Sequence, residues 1–174
     1  INAKSFRDYL RVLESKKFLL SLGGDHAISI GPILAAFEIW PGAGVLQVDA
    51  HLDLRNEWNG SRYNHACVMR RVADDIGLPF VQVGIRSFSP EEAAYLKTND
   101  LNPFYAHHIH PLDDSWMDDV IKSLPEKVYL TIDVDGLDPS VMPGTGGGKN
   151  AFSTDGAMLA CGSIALNSSL LRTR

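Results

Sequence analysis

Hydrophobic positions along the chain follow two rhythms. Short, nearly unbroken apolar runs occupy residues 18–22, 45–48, 80–83 and 128–132, with a weaker one at 104–106. Their length and continuity are those of strands buried on both faces of a parallel sheet. Between them, apolar residues recur at helical spacing: Phe6, Leu10 and Leu13 within 5–15, then 29–39, 66–76 and 116–124. Ser89-Pro90-Glu91-Glu92 opens one more helix, with an N-cap, a proline in the first turn and early acids. Strands alternating with helices predict an α/β domain with a mainly parallel sheet. After Gly146 the pattern fades. Residues 147–174 contain no clear buried strand and read as a tail appended to a domain spanning 1–146.

Acids and imidazoles gather at three places, each just past a predicted strand: Gly23-Gly24-Asp25-His26, then Asp49-Ala50-His51-Leu52-Asp53, then Asp133-Val134-Asp135 running on to Asp138. In an open α/β sheet ligands bind outside the carboxyl ends of the strands, so three distant segments are expected to meet in one crevice. Residues two apart in extended backbone point the same way. Asp49, His51 and Asp53 can therefore aim together, as can Asp133 and Asp135. Aspartates packed this closely could not all ionise unpaired, and a pair of divalent cations would cancel their charge. Mixed carboxylate and imidazole donors without cysteine suit Mn²⁺ or Zn²⁺. Two such ions, ~3.5–4 Å apart and bridged by aspartates, could acidify a shared water and supply hydroxide near neutral pH. Each motif alone is commonplace or merely unusual; the three together, all at strand ends, are not.

Composition narrows the partners. The formal charge of −5 comes with no block of Lys or Arg, which excludes a phosphate-tracking surface and so nucleic acid. It suits a cationic ligand or metal ions. No apolar run approaches the ~20 residues a bilayer crossing needs. Cys67 and Cys161 are too few and too far apart for a disulfide framework, so a reducing, cytoplasmic setting is expected. The chain opens without Met or a signal-peptide pattern, as a fragment would.

Leu22 to His26, Val48 to Asp53 and Thr131 to Pro139, continuing through Pro143-Gly144-Thr145-Gly146, resemble the three signatures of the ureohydrolases, the family of arginases, agmatinases and related guanidino-acid hydrolases. The resemblance runs from about residue 15 to Gly146, in the family's order. It implies a three-layer α/β/α fold, a binuclear Mn²⁺ site and hydrolysis of a small guanidino substrate to urea and an amine. By resemblance His26 and Asp53 would serve one ion, His51 and Asp135 the other, and Asp49 and Asp133 would bridge them. The segment Tyr63-Asn64-His65-Ala66-Cys67 resembles the agmatinase form of the loop carrying the family's catalytic histidine, here His65, and Val81 to Arg86 is similar to agmatinases too. Agmatine, giving putrescine and urea, is the substrate this implies, and homotrimers or hexamers are the assembly. His65 would pass a proton to the departing amine, while Asp25 and Asp138 would orient or cap from outside the ligand set. Beyond Gly146 the likeness ends at Gly147-Gly148-Lys149-Asn150, short of the acid with which the family grips the guanidinium. Two other readings stay open. One is a two-metal phosphoesterase, which also uses Asp-x-His but for which no Gly-Asn-His segment is present. The other is a metal-binding subunit, inactive alone, that joins an intact homologue.

His107, His108 and His110 have no acid cluster or strand end beside them and read as loop or structural histidines. Cys67 reads as a small buried apolar residue, and Trp40, Trp58 and Trp116 as packing or interface residues.

Overall fold

A computed structural model describes residues 3–109, 113–140 and 142. His110, Cys161, the Pro143–Gly146 segment and the tail from 147 lie outside the described residues. Strands β1 (Gly44–Val48), β2 (Phe80–Ile85), β3 (Phe104–Tyr105) and β4 (Val128–Ile132) form one sheet in the order β3-β2-β1-β4. Every described pairing is parallel. Helices α1 (Ala3–Glu14), α2 (Ile30–Ile39), α3 (Val68–Arg71), α4 (Pro90–Thr98) and α5 (Ser115–Lys122) connect or flank the strands. None is long and apolar enough to cross a membrane.

Side-chain alternation along the strands separates two cores. Val45 and Ile85 face Ile33 of α2, Met69 of α3 and Leu96 of α4. Leu46, Val48, Val81 and Val83 face Val120 of α5. The sheet is thus the middle layer of an α/β/α sandwich, and α1 packs outside α2 through Leu10, Leu13 and Ala36. Cys67 is fully buried, as expected of a small apolar residue. Trp40 and Trp116 pack at the core margins.

The strand expected at 18–22 does not form. Leu19 packs against the α1–α2 core beside Tyr129 of β4, whereas Phe18, Leu20 and Leu22 are 90%, 69% and 83% exposed. The alternation is that of an extended strand. However, a ladder needs a neighbour with free N–H and C=O groups at strand spacing, and among the described residues none pairs there. The expected helix 66–76 is likewise subdivided into a 3₁₀ turn (His65–Cys67), α3, and a π-helical turn (Val72–Ile76) that ends on left-handed Gly77.

Candidate metal centre

The ladder carries two aspartates just past the sheet's edge. Asp49 N donates to Val83 O at 3.0 Å and Asp133 N to Val48 O at 2.9 Å, so the two acids sit side by side at the tips of β1 and β4. The neighbouring loops do not simply continue extended, as the two-residue alternation had implied. Asp53 is turned inward by a left-handed backbone (φ 53°), and Asp135 lies in a 3₁₀ turn (Val134–Gly136) capped by Asp133. Asp135 Oδ1 accepts from Ala50 N at 3.2 Å, which ties that turn to the end of β1. The turn comes so close that a Cβ on Gly136 would lie 2.9 Å from Asp49 N, which is why glycine follows the second aspartate. His26 arrives from the far side on a 3₁₀ turn (His26–Ser29) whose N-cap is Asp25.

All six expected ligands converge. His26 Nδ1 lies 2.7 Å from Asp53 Oδ2, 3.0 Å from Asp49 Oδ2 and 3.9 Å from Asp133 Oδ2. His51 Nδ1 lies 3.0 Å from Asp135 Oδ2 and 3.6 Å from Asp49 Oδ1. The donor atoms form two groups of cation-binding size, His26–Asp49–Asp133 and Asp49–His51–Asp135, with Asp49 common to both. Asp53 touches the first group through His26. Asp49 offers one oxygen to each side, as a bridging carboxylate must.

The orphaned nitrogen of His26 tests whether a cation fits. Its Nε2 is within hydrogen-bonding distance of Thr131 Oγ1 at 2.9 Å. Its Nδ1 is buried and aligned with no acceptor, although carboxylate oxygens lie close enough to ion-pair. An unprotonated imidazole nitrogen this close to two carboxylates is repelled by them, and a divalent cation shared among these donors would convert that repulsion into coordination. Without metal, a proton substitutes. Burial alone would lower the His26 pKa, but Asp49 and Asp53 outweigh it and push it up to about 10. Asp135 and then Asp49 raise His51 to about 10. Burial and the Asp49 charge push Asp53 up to about 7, and burial also raises Asp133. Asp49, whose burial works in the opposite sense, is held well below the usual carboxylate range by His26 and His51. Such divergent protonation in one crevice marks a site built around positive charge.

Several residues beneath the centre escaped the sequence reading. Gln82, Gln47 and Thr131 occupy one row across β2, β1 and β4. Gln82 Nε2 donates to Gln47 Oε1 at 2.5 Å, and Gln47 Nε2 donates to Asp49 Oδ2 at 2.7 Å. This buried row fixes which way Asp49 and His26 face. A signal was present: Gln47 and Thr131 each precede an aspartate of the cluster by two residues, hence on the same face. Arg86 donates to the carbonyl of Asp135 and holds the 3₁₀ turn from below. Glu92, 4% exposed, completes the capping box of α4 with Ser89, and its Oε1 accepts from Leu54 N at 3.0 Å, directly after Asp53. Glu92→Ala removes the glutamate half of the capping box and orphans the buried Leu54 N–H, so denaturant unfolding is expected to show a loss of about 1–3 kcal/mol; a change under about 0.5 kcal/mol would refute this role.

The six clustered residues line a cavity of about 550 Å³ together with Asp25, His65, Arg55, Trp58 and Phe88. Trp58, expected as a packing or interface residue, lines the cavity at 39% exposed, with the Arg55 guanidinium 4.0 Å from its ring centre. Asp138 accepts from Ser140 N at 2.8 Å and caps a turn away from the centre. His107 stacks on Tyr105 and His108 meets that ring edge-on, and neither joins a candidate ligand group among the described residues.

Fold and site together define an α/β protein that gathers acids and imidazoles at the carboxyl ends of a parallel sheet. More particularly, the chain belongs to the arginase family, whose profile matches residues 2–151. The N(1)-aminopropylagmatine ureohydrolase of Synechocystis sp. is 40% identical over 139 residues, covering 77% of this chain and 44% of that protein. An agmatinase of Bacillus cereus is 36% identical over 138 residues, covering 78% and 46%. Among solved structures, the arginase from Bacillus subtilis superposes with a TM-score of 0.84 at 26% identity, over 95% of this chain and 64% of that one. The agmatine ureohydrolase of Thermoplasma volcanium gives 0.78 at 28% identity, over 90% and 53%. The three-layer arrangement is therefore the family's fold. This chain spans a little under half the length of the curated relatives it matches.

Proposed function

We propose that this protein hydrolyses a small guanidino compound at a binuclear manganese centre, releasing urea, with agmatine the preferred substrate. The observation that carries this reading is Asp49, shared between two ligand groups that each contain one imidazole. Four aspartates balance two divalent cations, and imidazole with carboxylate but no thiolate suits Mn²⁺. His26, Asp53 and His51, Asp135 would hold one ion each, with Asp49 and Asp133 between them. Bound there, the ions would supply Lewis acidity and a water acidified toward neutral pH.

The chain's own residues do the rest. Acids around the cavity attract and orient a cationic guanidinium. Hydrolysis breaks the bond from the guanidinium carbon to the alkyl nitrogen, and His65, on the cavity wall, donates the proton that this leaving amine needs. Two of the relatives named above take agmatine or its aminopropyl derivative by their names. The test is urea release by the Mn²⁺-loaded protein with agmatine, N(1)-aminopropylagmatine, arginine and guanidinobutyrate in parallel. Release from agmatine above the others supports the proposal. Turnover of p-nitrophenyl phosphate instead would favour a phosphoesterase, and metal uptake without urea would leave a metal-binding subunit.

A further inference from the structure

We propose that Asp25 is a positioning residue that holds the His65 imidazole for proton delivery, an inference that rests on the ureohydrolase reading above. The two oxygens of Asp25 have separate tasks. Oδ1 accepts from Ala27 N at 2.8 Å and caps the 3₁₀ turn that carries His26. Oδ2 lies 3.3 Å from His65 Nδ1, at ion-pair distance. His65 opens a second 3₁₀ turn, capped in the same manner by Asn64, whose Oδ1 accepts from Ala66 N at 3.1 Å. The two capped turns pack against each other, and Asp25 and His65 both face the cavity.

The His65 side chain is 53% exposed, and Asp25 is its one charged partner among the described residues. An imidazole so exposed samples several rotamers and both neutral tautomers. A carboxylate at Nδ1 selects the tautomer protonated there and leaves Nε2 to exchange the travelling proton. Asp25 is itself fixed, because its other oxygen is committed to the cap and its neighbour His26 is anchored on Thr131. The proton donor is thereby placed relative to the ligand segment by one residue of backbone. Exposed pairs of this kind add little stability, so the role is separable from folding.

Asp25→Asn provides the separation, since its amide oxygen can keep the cap while its NH₂ cannot accept from His65. The expected result for Asp25→Asn in the Mn²⁺-loaded protein is unchanged Tm and uptake of two ions, KM within about twofold, and kcat lower by roughly tenfold or more. In a His65→Asn background the same substitution should cost nothing further. In the protein loaded with diamagnetic Zn²⁺, the ring ¹⁵N signals of His65, assigned by their absence in His65→Asn, should move from one tautomer toward a mixture in Asp25→Asn. An undiminished kcat, an equal loss in the His65→Asn background, or unmoved ring signals would overturn the proposal. If the wild-type protein releases no urea from any guanidino substrate, the ureohydrolase reading fails, and the ring signals alone then decide whether Asp25 orders His65.

Discussion

Asp49→Asn is expected to abolish uptake of both cations, while His51→Asn removes one. Asp49 is 1% exposed, and its two oxygens face different imidazoles, Oδ2 toward His26 and Oδ1 toward His51. Removing its charge therefore weakens both groups at once. His51 belongs to one group alone, and the His26 group keeps its imidazole and two acids. Loss of a partner outside the ligand set typically costs 10–100-fold in affinity, and loss of a shared ligand should exceed that by roughly another tenfold per ion. The asparagine side chain is nearly isosteric, and its one carbonyl can still accept from Gln47 but then not from His51 N, so the change is confined to the loop after β1 and the sheet keeps its register. Metal content after dialysis, with calorimetric titration of Mn²⁺, distinguishes the two variants. Retention of two tightly held ions by Asp49→Asn would contradict the bridging assignment.

Metal uptake should also release protons, and the metal-free and loaded proteins should respond to pH in opposite directions. In the metal-free chain the pKa values of His26 and His51 are raised from 6.5 to about 10, so both rings carry protons at pH 7. Each must lose its proton to coordinate, and apparent affinity should rise about tenfold per pH unit per proton displaced, levelling off as pH approaches 10. Asp53, raised to about 7, adds to the release below neutrality. For the metal-free fold the sign is reversed. A folded-state pKa above the unfolded value means that the folded chain binds more protons. That contribution is fully present below pH 6.5 and is lost as pH rises through about 10. Thermal melts from pH 6 to 10 should therefore show the metal-free protein losing Tm while the increment from Mn²⁺ grows. Titrations at pH 7 in buffers of differing ionisation enthalpy should show at least two protons released per two ions bound, from the two imidazoles, with a further fraction from Asp53. Release of none would mean that the imidazoles are not ligands.

How far the site was legible depended on what each residue has to do. Clustered acids and imidazoles stand out because like charges packed together need a reason, so His26, Asp49, His51, Asp53, Asp133 and Asp135 could be singled out from spacing and charge as residues that would meet. The supporting residues could not be found that way. Glu92 reads as an ordinary capping glutamate, and only the return of the Asp53 loop brings Leu54 N onto its second oxygen. Gln47 and Gln82 look like interruptions in apolar strands until β1 and β2 are placed in register. Asp53 and Asp135 do reach the cluster, but not along the idealised extended backbone expected of them, which the left-handed residue and the 3₁₀ turn replace.

The strand at 18–22 shows the opposite failure. Its apolar run is a local property that the sequence displays, but strand pairing is not local, and Phe18, Leu20 and Leu22 stay exposed. Sequence by itself determined the alternation of strands and helices, the buried faces and the chemical type of the centre, because periodicity and the cost of clustered charge act over a few residues. Only the tertiary structure decided which strands are neighbours, which oxygen of Asp49 faces which imidazole, and that Asp25 reaches His65. Those depend on segments dozens of residues apart arriving within about 3 Å of one another, a distance set by sheet register and packing rather than by any stretch of chain.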